Sequence, residues 1–308
     1  MAITISDTSY AGKYASPIIT KMTTEFDSVN KGVLYVADSV RKKITIPTFS
    51  LTNLIQDRAA TPTSQGTGTV NGRTITPADF MVYWEFNPRD FETHFESENL
   101  TDQLLRRELS PELLAVLEGE VTKFVNQYMD FAVWRSRTSN TNTYKYYDGF
   151  VKKMLDDSDV IDIGSAAALS ASNIEAKLNL VKDAIPDSIY DHPDGKYIVN
   201  IEAGKFWADA QRTATYKGAG LTDRGLMMFD GRPVVPVAGL HEDTIIFTHC
   251  SNSPQSNLHL GINSKDDSLV QYDFLQANSE LCFFKMLSKA DVNHRYGSEI
   301  VLYTTQTA

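Results

Sequence analysis

In this 308-residue chain the side chains suited to chemistry are six histidines, two cysteines and several carboxylate clusters, and spacing decides whether they can act together. His241 and Glu242 begin like the H-E-x-x-H metal helix, but the fifth position is Ile245, so the second ligand is missing. The separations among His241, His249, Cys250 and His259 match no common zinc-ligand spacing. Asp156, Asp157, Asp159 and Asp162 gather oxygen ligands, yet the glycine and distal glutamate of a calcium loop are absent, and a solvated loop accounts for them. Glycines recur in "GTGTVNG" and "YKGAGLTDRG" without the lysine and hydroxyl of a phosphate-binding loop and without a strand-turn-helix setting. No G-x-S-x-G elbow occurs, and the pairs Asp90/Glu92 and Glu96/Glu98 share a strand face with nothing nearby that marks a cleft. We therefore expect no catalytic residue, no metal and no cofactor. Cys250 and Cys282 are distant in sequence and form no CxxC, which predicts buried free thiols.

Composition narrows the class. With 42% hydrophobic and 22% charged residues the chain is ordinary for a globular protein, and its length suggests two domains or one with large excursions. No apolar run approaches the ~18 residues of a membrane span, and "MAITISDTSY" lacks the regions of a signal peptide, so we expect a protein of cytosol-like solvent. The net charge of -10 argues against a protein built to grip phosphate backbones. Much of it is local: residues 85 to 120 hold ten acidic side chains against Arg89, Arg106 and Arg107. Arg41, Lys42 and Lys43 are a candidate complement.

The strongest element signal is "LSPELLAVLEGEVTKFVNQYMDFAVWRSR". Steps of three and four give Leu114, Leu117, Val121, Phe124, Tyr128 and Phe131 as one narrow seam, with Gly119, Lys123, Asn126 and Asp130 opposite. Ser110 is a candidate N-cap, Pro111 suits the first helical position, and Glu112 faces the positive end of the dipole. A helix over about 110–137 is roughly 35 to 40 Å long and must lie along something comparably extended. Residues 1–40 show no sustained periodicity and read as an extended arm. "KKITIPTF" and "DFMVYWEF" read as strands flanking a Thr/Gly/Ser-rich excursion in which Asn71-Gly72 predicts a type I′ turn, giving a long β-hairpin. Its distal half has too few apolar residues to offset the ordering of its backbone and should dock on another subunit. A helix within "ASNIEAKLNLVKDAIP", a buried strand "GKYIVNI", a helix near Glu202 to Thr213 and strands in "RPVVPVAGL", "TIIFTHC" and "SNLHLGI" mark a compact second unit. The end reads as two strands joined by a turn at Tyr296-Gly297.

This order of elements, together with "IPDSIYDHPDGKYIVNIEAGKFW" and "MMFDGRPVVPVAGLHEDTIIFTHCSNSPQSNLHLGI", resembles the major capsid proteins of tailed bacteriophages, the Hong Kong 97-type fold. The resemblance implies an α+β chain with an N-terminal arm (1–40), an E-loop and its base strands (41–88), a P-domain with a spine helix (89–150), an A-domain (151–282) and return strands of the P-domain (283–308). It implies a non-enzymatic subunit that forms pentamers and hexamers in an icosahedral shell around double-stranded DNA. Portal, scaffold and decoration proteins would be its partners, there would be no membrane, and assembly would take place in the host bacterial cytoplasm. Some relatives crosslink through an E-loop lysine; this chain has none between Lys43 and Lys123, so we expect a shell without that bond. Candidate inter-subunit contacts are Arg41, Lys42, Lys43, Arg58 and Arg73 with Glu92, Glu96, Glu98, Glu112 and Glu120 of a neighbour. Two other readings are an encapsulin-type compartment and a cytosolic α/β enzyme with an unrecognised site.

Overall fold

The computed structural model describes residues 8–11, 25–38, 40–87, 111–141, 143–164, 167–213, 227–263, 269–275 and 281–307. Three sheets organise it. The first is centred on a 13-residue strand, β13 (Cys282–His294), whose residues alternate between the core and the outer face along most of its length. On one side β13 pairs with β5 (Ala78–Phe86) over nine residue pairs, from Ala290↔Ala78 to Cys282↔Phe86. It also pairs with β11 (Leu258–Ile262) at its His294 end and with β12 (Leu269–Phe274) at its Cys282 end. β1 (Thr8–Ala11) is antiparallel to β12, and β2 (Tyr35–Ala37) is parallel to β11. Thus β11 and β12, which sequence placed in the 151–282 unit, belong to the same sheet as the return strand.

The second sheet has the order β6 (Ile161–Asp162), β14 (Val301–Tyr303), β10 (Ile245–His249), β7 (Gly195–Asn200), β9 (Arg232–Val237), β8 (Met228–Phe229). It is apolar on both faces, which is why "TIIFTH" is not an alternating pattern. Ile198, Ile246 and Leu302 point to one core, while Tyr197, Val199, Ile245, Phe247, Val301 and Tyr303 point to the other. That second core is closed by α4 (Ile174–Asp183) through Ile174, Leu178 and Val181, by α5 (Asp187–Tyr190) through Ile189, and by α6 (Ile201–Thr213) through Ala203 and Trp207. The expected turn at Tyr296-Gly297 does not join two paired strands. A short 3-10 turn, Gly297–Glu299, carries the chain from β13 in the first sheet to β14 in the second.

The long helix, α2, runs Pro111–Arg135 and is about 37 Å long. Its buried stripe is Thr122, Val125, Met129 and Ala132, one residue on from the predicted seam and so rotated by about 100°. Asp130, expected outside, is buried: the Ser28 hydroxyl donates to its Oδ1 at 2.5 Å and the Ser28 amide does so at 3.2 Å. The same hydroxyl accepts from Trp134 Nε1 at 2.8 Å. Burial raises the Asp130 pKa against the pull of those Ser28 donors. Residues near 28 therefore clamp onto the helix, so this part of the expected extended arm is a short helix and strand packed on its own chain. Phe26, Val33 and Leu34 are in the first core, α1 (Asp27–Asn30) packs beside the helix, and the Val40 amide donates to Ile262 O at 2.9 Å. From the other side, Arg135 donates to Gly239 O and Leu240 O at 2.8 and 2.6 Å. A Cβ on Gly239 would lie 1.9 Å from the Asp130 carbonyl oxygen, so only glycine permits this approach. Helix α3 (Phe150–Leu155) completes the core through Phe150, Val151 and Met154. Cys250 and Cys282 are free and buried.

Candidate assembly interface

The third sheet is a two-stranded ribbon, β3 (Ile44–Thr52) with β4 (Thr67–Ile75), and it is the hairpin that sequence placed near here. Its reversal lies at residues 53–66, where Asn53 takes a left-handed φ of 54°, a conformation asparagine tolerates. Asn71-Gly72 is not the turn. The two residues sit within β4, opposite Thr48 and Pro47. The glycine has a packing cause: a Cβ there would lie 2.2 Å from Thr45 Cγ2 of the facing strand. The chain continues from β4 into β5, which belongs to the first sheet.

Residues directly opposite in an antiparallel pair share a face, so the register sorts the ribbon into two surfaces. One carries Phe49/Val70 and Leu51/Gly68; the other carries Thr48/Asn71, Ser50/Thr69 and Thr52/Thr67. The apolar face is uncovered, with Phe49, Leu51 and Val70 exposed by 56%, 64% and 69%. Leu54 and Ile55, in the reversal, are also exposed.

The root differs. Ile46 and Ile75 are buried, Asn293 Nδ2 donates to Thr74 O at 2.8 Å, and Arg295 Nε donates to Pro47 O at 3.0 Å. The Thr76 amide donates to Asp291 Oδ2 at 2.8 Å, and Lys153 pairs with the other oxygen of the same carboxylate at 2.7 Å. Arg73, expected to reach a neighbour's carboxylate, is engaged within its own chain by Asp157, which also accepts from His294 Nε2 at 2.7 Å. Burial works to raise the Asp157 pKa, but the His294 hydrogen bond, the Asp159 amide and the Arg73 charge outweigh it and hold the carboxyl below its usual value. Burial likewise pushes His294 below the ordinary imidazole value, with Asp157 opposing. Sequence reasoning took Asp157 for a member of a solvated run. Only the fold brings it to a point 84 residues from Arg73 and 137 from His294.

A second uncovered apolar surface lies on the outer face of the first sheet. Met81 and Tyr83 are exposed on β5, and their register partners on β13 are Leu287 and Lys285, with Phe283 opposite Glu85. The Tyr83 and Phe283 rings are 6.0 Å apart. Of the other predicted contact residues, Lys42, Lys43, Arg58 and Glu120 are exposed. Glu92, Glu96, Glu98 and the cap Ser110 lie outside the described residues, as does the side chain of Glu112. The histidines once weighed as a zinc set serve other ends. His259 Nε2 meets Ser256 O at 2.8 Å, and His249 lies against His192 with the rings tilted by 38° and their centroids 4.7 Å apart.

An arm strand, a projecting hairpin, a long helix on a β-sheet and a separate two-faced sheet with its own helices define the Hong Kong 97-type capsid fold. Solved structures agree. The chain is similar to the capsid of an empty GTA particle, with 13% identity, a TM-score of 0.56, and coverage of 92% of this chain and 90% of that one. It is similar to the satellite phage P4 procapsid including size determination (Sid) protein, at 11% identity, TM-score 0.58 and coverage of 95% and 99%. It is also similar to the holo-SrpI encapsulin complex from Synechococcus elongatus PCC 7942, at 10% identity, TM-score 0.52 and coverage of 89% and 87%. No protein-family model and no curated protein matches the chain.

Proposed function

We propose that the chain is the major capsid protein of a tailed phage, assembling as pentamers and hexamers into an icosahedral shell around double-stranded DNA. The observation that carries this reading is the hairpin's apolar face, bare in its own chain. β4 approaches β13 at Asn293, and β5 then runs to Phe86 opposite Cys282, so the distal hairpin extends past the His294 end while Met81 and Tyr83 lie toward the other. Two apolar surfaces that one chain cannot bring together are suited to a heterologous contact between copies, the type that closes rings. Each copy then donates a hairpin and receives one, and many modest contacts add in a closed particle.

The role is structural, without catalysis. Packaged DNA would be enclosed without sequence-specific binding, which suits a net charge of -10. Assembly in the host bacterial cytoplasm, with a portal and separate scaffold or decoration proteins, follows from the same reading. Light scattering with negative-stain microscopy of the purified chain tests it: closed particles of many copies are expected, whereas a small discrete oligomer would overturn it. The similarity to an encapsulin supports a second reading, a protein compartment, and particles holding cargo protein and no DNA would favour it.

A further inference from the structure

The hairpin root is held in two ways that do different work. Ile46 and Ile75 are buried there, and a Cβ on Gly261 would lie 2.6 Å from Ile75 Cγ2, so an apolar plug sets where the ribbon attaches. Apolar contact has no direction, and a plug alone tolerates rotation. Direction comes from polar ties. Among the described residues β3 and β4 share no ladder with the body, and every hydrogen bond from residues 44–76 to the body runs through a side chain: Asp291 to Thr76, Asn293 to Thr74, Arg295 to Pro47, Tyr296 to Phe49 and Arg73 to Asp157. Of the hairpin's own groups only Arg73 brings a full charge to these ties. Its partner Asp157 is fixed in turn by His294 Nε2 at 2.7 Å and by the Asp159 amide at 3.1 Å.

His294 is fully buried, and its Nδ1 has no partner. The charged groups around it are Asp157, Arg73 and Lys153, with Asp159 and Asp291 pairing with those two cations. While the imidazole is neutral, Nε2–H donates to Asp157 and the carboxylate is left to hold Arg73. A second proton would enter at Nδ1, where no acceptor waits and two cations stand near. Burial, joined by those cations, keeps the imidazole below its ordinary value against the pull of Asp157. Parting the root gives that nitrogen water and moves Arg73 away, so the parted root takes the proton first. We propose that the hairpin is an acid-operated pointer: proton uptake by His294 releases the Asp157–Arg73 tie, and the ribbon then pivots on Ile46 and Ile75. The fixed orientation is favoured above about pH 6.5 and gives way as pH falls, by at most about tenfold per pH unit for one proton.

Pulsed electron spin resonance on the full chain tests this. Spin labels at Thr63→Cys in the reversal and Ser139→Cys on the body occupy exposed positions, while Cys250 and Cys282 are buried. Dilution with unlabelled chain confines the measured distance to one molecule, so the result stands whether or not the chain builds a shell. One narrow distance is expected at about pH 7.5, and at about pH 5 a second, broad population at least tenfold more abundant than before. His294→Gln keeps a donor to Asp157 without titrating and should hold the narrow distance at both values. Asp157→Asn removes the charge that holds Arg73 and should show the broad population already at about pH 7.5. A native distribution that does not change with pH, acid broadening that persists in His294→Gln, or a single narrow distance in Asp157→Asn would each overturn the proposal.

Discussion

The two ends of the β3/β4 hairpin obey opposite rules. At the root, Ile46 and Ile75 are buried, backbone groups are matched by Asn293, Arg295 and Asp291, and the Arg73 charge is met by Asp157. Three register positions further out, the side chains of Phe49 and Val70 are more than half exposed. A two-stranded ribbon is marginal by itself, so the root is held by the subunit and the distal half must be held by something else. The division separates stability from assembly: changes at the root should act on the subunit, and changes at the far end on the particle.

The largest effect is expected at the far end. Phe49→Asp combined with Val70→Asp should reduce particle yield at least tenfold while leaving subunit stability within about 0.5 kcal/mol per site, as for other surface changes. Sedimentation and thermal melting would read the two separately, and a large drop in melting temperature would break the comparison. At the root, Ile75→Ala should cost about 2–5 kcal/mol in denaturant unfolding, the range for a fully buried aliphatic side chain. Arg73→Ala removes a charge-assisted hydrogen bond from a partly buried carboxylate, and a loss of about 1.5–3 kcal/mol is expected.

Acid should sharpen the contrast further. Burial pushes the His259 pKa down to about 4, against the pull of Ser256, so the unfolded chain takes up this proton first. Its contribution to stability is complete above the unfolded value near 6.5 and is lost as pH falls toward about 4, with a slope of about 1.4 kcal/mol per pH unit. His259→Gln should flatten that slope in pH-dependent unfolding. The smallest effect is expected from neutralising Arg41, Lys42 and Lys43 together, which should lower particle yield a few-fold. Unchanged yield would remove them from the interface.

Sequence made the elements legible where one surface dictated the pattern. The α4 and α6 helices lie where periodicity placed them, because each buries one apolar stripe, while β7 and β10 were marked by short continuous apolar runs and the extent of α2 by its long helical period. It misread positions where two surfaces compete. On α2 the conspicuous aromatic seam outweighed the smaller Thr122, Val125, Met129 and Ala132, although those are the residues that meet the sheet. Asn71-Gly72 carries a turn signal that cannot be told from sequence apart from a glycine admitting Thr45. Residues 25–40 showed no period because they are held by tertiary partners, Asp130 and Ile262, that no local window includes. Composition predicted a distal hairpin too poor in apolar residues to stand alone, whereas the exposed apolar face it carries became visible only with the register.

The course of the chain from β4 into β5 also sets how the subunit bears force. A pull on the hairpin is delivered along the axis of β5, whose nine residue pairs with β13 are loaded side by side, in shear, rather than peeled one after another. The β13 strand spreads that tension through β11 and β12 to the remainder of the sheet. A wall built from such subunits would resist bursting from within by distributing strain over whole strands.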